Sequence, residues 1–278
     1  MIQESDVQGS SSKIVVDVQV SHATLILANP PLNLVDRALL AELSDALGRL
    51  ARDDEVKSLI VTGEGDRAFC AGSDLKTTLA LKIQGTFVAD KLGPETDVFS
   101  ALAEFPKPTI AALNAAALGG GLELAACCDL IVAKRGIKIG LPEINIAGFP
   151  PTGVVRLAGR TGLGRINQLV LLGQPIMSET AHEWGIIDRL ADAEQSPLEI
   201  ALNWAERFAQ LPSRALQMSK RAIAIGQAAD CRAQLAEVLA FSELLAAAPD
   251  ALEGPAAFLA KRAPAFSDAP LPDHREAS

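Results

Sequence analysis

Two glutamates stand where a carboxylate is costly. Glu123 lies inside LNAAALGGGLELAACCDLIVA, residues 113–133, and Glu143 inside KIGLPEINIAGFPPTG, residues 138–153. An ionised carboxylate moved into a core costs several kcal/mol or more unless it is paired, hydrogen-bonded or protonated. Two such groups in low-dielectric surroundings have perturbed proton affinities, which is what paired acid and base roles near neutral pH require. Position alone does not decide the matter. Glu123 follows Gly120 by three residues, in the first turn of an expected helix, and Glu143 follows Pro142, so both also sit where any helix start favours an acid. The apolar neighbours of Glu123 favour chemistry there.

Glycines 119 to 121 stand between an expected strand and that helix. Glycine lets the backbone approach a ligand closely and leaves the first helical N–H groups pointing outward, an arrangement suited to a phosphate or to a carbonyl oxygen that gains charge. GGGLEL lacks the third glycine of the dinucleotide fingerprint, and no GK[ST] follows for a phosphate loop. Close helix packing explains the triplet equally well when it is taken alone.

The elements that must position these residues are legible in outline. Lys13–Ala28 alternates branched apolar and polar residues, predicting two paired strands that end at Asn29, Pro30 and Pro31. From Asp36 to Ala51 the apolar positions fall at helical spacing with Asp36 as the expected N-cap, and Val56–Thr62 reads as a buried strand closed by GEGDR. The alternation recurs: AFCAG, a helix from about Ser73, a polar loop from Gly85 to Pro94, a further helix, and KPTIAALNA as a strand. Then come a helix from Gly120 to Cys127, the strands DLIVA and KIGLP, a turn at Pro150–Gly153, and the helix GRINQLVLLG. After about Pro197, Leu198–Phe266 is successive helices, one of them CRAQLAEVLAFSELLAA, whose broad apolar face calls for subunit packing. The expected division is a tail over 1–12, an α/β core over 13–197 and a helical region over 198–278.

The chain has 278 residues, 49% of them hydrophobic, enough for one large core. A net charge of −9, spread along the sequence, offers no footprint for a nucleic-acid backbone. MIQESDVQGSSSK is not a secretory signal and no apolar run is long enough to span a membrane, so the expected location is the cytoplasm. Cys70, Cys127, Cys128 and Cys231 show no CxxC spacing and read as buried free thiols.

AFCAGSDLK (68–76), NAAALGGGLELAACCDLIVA (114–133), LPEI (141–144) and EGPAAFLAKRAPAF (253–266) together resemble the crotonase family, the enoyl-CoA hydratase and isomerase superfamily, over about Lys13 to Phe266. The resemblance implies a spiral of ββα units followed by a C-terminal helical region that builds trimers, often stacked as hexamers. It implies an oxyanion hole made by the backbone N–H groups of Ser73 and Gly120, with donors aimed at the charge developing on a thioester oxygen. By the same resemblance Glu123 activates water for attack at C3 and Glu143 delivers a proton to C2. Ala71, Lys76, Phe258 and Lys261 fall where the family holds coenzyme A, the last two on a helix that often caps a neighbouring subunit's nucleotide. Coenzyme A is part of the substrate, and neither a metal nor a separate cofactor is implied.

Typical hydratases follow PE with a PGxGG turn, one amide of which helps hold the catalytic water. Here the turn is FPPTGV, and Pro151, which has no N–H, falls where that glycine would be. Thr152 or Gly153 would have to supply the contact, or the water is held differently. Ala80–Val98 spans the region that shapes the acyl pocket and specifies no substrate. With no tyrosine in the chain, tyrosine-dependent variants are excluded, and His22, His182 and His274 suit neither a base nor a metal. The expected activity is 2-enoyl-CoA hydration. A Δ3,Δ2-enoyl-CoA isomerase using Glu143 alone, a hydratase-lyase, and a non-catalytic acyl-CoA-binding member are the alternatives.

Overall fold

The computed structural model describes residues 12–227, 231–248 and 250–266. Two sheets carry the site. The larger has the order β1 (Ile14–Val18), β2 (His22–Leu27), β3 (Ser58–Gly63), β5 (Thr109–Leu113), β7 (Leu130–Ala133), β10 (Arg189–Leu190). Only β1 and β2 pair antiparallel; from β2 onward the strands are parallel. The smaller sheet runs β4 (Ala68–Cys70), β6 (Ala116–Leu118), β8 (Lys138–Gly140), β9 (Ile176–Met177), with β9 antiparallel. Successive turns of the chain place one strand in each sheet and then a helix: β3, β4 and α2 (Leu75–Gln84); β5, β6 and α4 (Gly120–Ala126); β7, β8 and α5 (Pro151–Thr161). These are the ββα units that the resemblance implies.

Every residue of SLIVTG in β3 is buried, because helices cover both faces of the parallel sheet and leave no polar side for alternation. On one face lies α1 (Arg37–Arg52), which buries Leu39, Leu40, Leu43, Ala46, Leu47 and Leu50 at helical spacing. Its N-cap is Asp36, whose side chain accepts from the Leu39 amide, as expected. On the other face α8 (Pro197–Ala209), started by a Ser196–Glu199 capping box, sets Ile200, Ala201 and Ala205 against Ile60, Ile110, Ala112 and Val132. The helical region thus begins on the sheet. Cys70, Cys127 and Cys128 are free and buried; residues 1–11 of the expected tail and the Cys231 side chain lie outside the described residues.

Two segments differ from expectation. Gly85–Pro94 is largely helical: a π-helical turn, Val88–Leu92, runs into α3 (Gly93–Ala103). Its polar residues imitate a loop because Lys91 is turned inward, where it faces the cavity and pairs with Glu95 of the following helix. Pro150–Gly153 is the start of α5, with Pro151 in the first helical turn, where a missing N–H has no helical partner to lose.

The remaining helices are α6 (Leu163–Leu172), α7 (Ser178–Glu183), α9 (Ser213–Gln227), α10 (Cys231–Ala246) and α11 (Asp250–Leu259). α10 packs on α5, while α11 lies across α2 and against the 3-10 turn Glu143–Ile146. Pro255 inside α11 has no N–H to offer the carbonyl of Ala251, four residues earlier. The ammonium of Lys82, on α2, donates to that oxygen at 3.2 Å.

Candidate active site

The triple glycine places the site, and its members act differently. Gly119 precedes α4 with φ 55°, and a Cβ built on it would stand 2.8 Å from Glu143 Oε1. A Cβ on Gly121 would run into the carbonyl of Cys70, so α4 starts in backbone contact with the end of β4. Gly120, between them, opens α4, and its amide has no intrahelical acceptor. Across from it Ser73 follows β4, immediately before Asp74, the N-cap of α2. The two loops, 71–73 and 119–120, therefore lie side by side.

Both glutamates reach this junction. Glu123 is buried in α4, and its Oε1 accepts from the Gly153 amide at 2.8 Å. Burial pushes its proton affinity well above the ordinary carboxylate range, helped by repulsion from Glu143 and Glu95 and opposed by the Gly153 N–H and by Lys91. Glu143 opens the 3-10 turn, and its Oε2 is buried without a partner. Burial raises its pKa to about 7; a backbone hydrogen bond opposes this, Glu95 reinforces it and Lys91 opposes it. Two buried carboxylates that repel each other titrate as a unit.

A cavity of about 580 Å³ joins these groups. Ala71, Ser73, Lys76, Gly120, Glu123, Glu143 and Phe258 all line it, and so does Pro151. Lys261 is not among the lining residues; it is exposed, with φ 53°, just past the end of α11. Thr152 is buried beside Pro151, and the Gly153 amide, in the first turn of α5, is the donor that meets Glu123.

Sequence reasoning missed Lys91 and Glu95. Both are buried and both line the cavity. Lys91 donates from Nζ to Ser73 Oγ at 2.7 Å and pairs with Glu95, whose Oε1 lies 2.9 Å from where a Gly120 Cβ would be. The ion pair thus touches both loops. Its only sequence signal is a lysine and a glutamate four residues apart, the pattern of an ordinary solvated helix pair.

Known proteins resemble this chain over most of its length. The family described as enoyl-CoA hydratase/isomerase matches residues 18–269. A probable enoyl-CoA hydratase of Bacillus subtilis is 35% identical over 248 residues, 88% of this chain and 94% of that protein. The 2,3-dehydroadipyl-CoA hydratase of Escherichia coli is 34% identical over 257 residues, covering 92% and 98%. Among solved structures, a carnitinyl-CoA hydratase from Mycobacterium avium superposes with a TM-score of 0.81 at 32% identity, covering 93% of this chain and 99% of the other. With this fold, these loops and these relatives, the chain belongs to the enoyl-CoA hydratase/isomerase family.

Proposed function

We propose that the protein adds water across the double bond of a 2-enoyl-CoA thioester. The observation that carries the reading is the pair of buried carboxylates, Glu123 and Glu143, on one cavity beside the amides of Ser73 and Gly120. The thioester oxygen accepts from those two amides, and each such donor is worth roughly 3 to 4 kcal/mol once negative charge develops on the oxygen. The Gly153 N–H favours the ionised form of Glu123, which orients water and takes its proton as oxygen attacks C3. The two carboxylates share one proton, and in the reactive form Glu143 carries it and gives it to C2. The proton gained at Glu123 then restores the pair for the next turnover.

Ala71 and Lys76 hold the nucleotide end of coenzyme A, with Phe258 and Lys261 closing over it; the exposed position of Lys261 suits contact with a nucleotide bound by a neighbouring copy. The reaction uses no metal and no cofactor beyond the coenzyme A of its substrate. Trimers, or hexamers built from two of them, are supported by exposed Leu163, Leu171 and Leu172 on α6 and by exposed Met177 on β9.

The test is loss of enoyl-thioester absorbance across short, long, branched and functionalised 2-enoyl-CoAs. Wild type is expected to hydrate at least one, with kcat lowered 100-fold or more in both Glu123→Gln and Glu143→Gln. No hydration of any member sinks the proposal. One observation favours a second reading: Glu123 Oε1 accepts directly from the Gly153 amide, while Glu143 Oε2 is buried with no partner. Full activity of Glu123→Gln, together with conversion of a 3-enoyl-CoA, would assign isomerisation by Glu143 alone.

A further inference from the structure

Helix α2 is built inside out. The two side chains it buries are Thr78 and Lys82, both polar, while Ile83, the next residue round the helix, is 67% exposed. Residues four apart share one helix face, and here that face lines the cavity that holds Glu123 and Glu143. Neither side chain is satisfied. Thr78 Oγ1 is buried with no hydrogen-bond partner. Lys82 has three N–H donors, of which one meets the Ala251 carbonyl, and its ammonium stands 5.3 Å from the centre of the Phe87 ring. Among the described residues no carboxylate pairs with it.

A buried ammonium without a counter-ion is costly, and burial alone lowers the Lys82 pKa to about 8. The other cavity charges do not relieve it. Lys91 and Glu95 neutralise each other, Glu123 and Glu143 lie at the reacting centre, and Asp74 caps its own helix. Lys82 replaces the donor that Pro255 withholds from the Ala251 carbonyl, but its two other N–H groups and the Thr78 hydroxyl have no hydrogen-bond partner on this cavity, and that pair is a site lacking its anion.

Position separates that anion from the phosphates of coenzyme A. Lys82 is six residues beyond Lys76, about 9 Å along α2, and Ala251 is seven residues before Phe258, about 10 Å along α11. Lys82 therefore sits toward the end of the α2–α11 pair remote from the residues assigned to the nucleotide, and Thr78 lies one turn nearer to them on the same face.

We infer that Thr78 and Lys82 receive a carboxylate at the far end of the acyl chain, and that the substrates are 2-enoyl-CoA thioesters of dicarboxylic acids. The inference rests on the hydratase reading for its thioester. The ammonium and the hydroxyl each donate to one carboxylate oxygen, a charge-assisted arrangement in a low-dielectric setting.

The experiment compares two six-carbon 2-enoyl-CoAs, one ending in a methyl group and one in a carboxylate. Wild type is expected to favour the carboxylate by at least tenfold in kcat/KM. Lys82→Met should bring that ratio to about one, Thr78→Val should lower it severalfold, and Lys82→Arg should keep most of it. Equal use of both substrates by wild type, or equal loss on both in Lys82→Met, overturns the inference and leaves a lysine that merely holds α11. Calorimetric binding of the two saturated thioesters, which cannot be hydrated, separates the readings. Discrimination in binding without turnover preserves the anion site and sinks the hydratase. Turnover without discrimination does the reverse. Free coenzyme A losing as much affinity as the carboxylate thioester in Lys82→Met also overturns the assignment.

Discussion

Glu143 carries the chemistry proposed for it and its stability cost in the same oxygen atoms. Its pKa rises from an ordinary 4.5 to about 7 on folding. The folded state therefore binds more protons than the unfolded state between those values, and stability falls as pH rises through that window. Glu143→Gln removes the charge but keeps the shape, so the variant should be more stable than wild type at pH 8, by up to about 3 kcal/mol. The gain should vanish near pH 4, as thermal unfolding at the two pH values would show. Both glutamates were legible in the sequence because a charge inside an apolar run has few explanations. Lys91 and Glu95 were not: their segment has the polarity of a loop, and only the fold reveals that those polar groups face one another and a cavity.

At the scale of elements, the precision of the site comes from backbone packed on backbone. Because a Cβ at 121 meets the Cys70 carbonyl, Gly121→Ala should displace α4 from β4. The expected cost is about 3 kcal/mol or more, with kcat falling as the Gly120 amide moves; urea unfolding and steady-state assay of the same preparation would report both. The strands and α1 were readable from periods of two and 3.6. α5 was not, since Pro-Pro-Thr-Gly has turn composition. The fold places Pro151 in the first helical turn and brings the Gly153 amide directly onto the Glu123 carboxylate.

For the whole molecule, no helix among the described residues is long and apolar enough to cross a membrane. The exposed leucines of α6 are expected to lie between subunits. Sedimentation should give a mass three or six times 29.1 kDa, and Leu171→Glu with Leu172→Glu should lower it. A mass of one chain for wild type would remove that role.

The last helix has a double duty in the architecture. Gly254 of α11 abuts the backbone of Ile146, the last residue of the turn that Glu143 begins, so the helix that lines the cavity with Phe258 is also a brace for Glu143. Clipping the chain ahead of Asp250 would thus do more than loosen the grip on substrate. Nicked enzyme should be slow even when saturated, with kcat falling along with affinity, as an arch drops when its keystone is drawn.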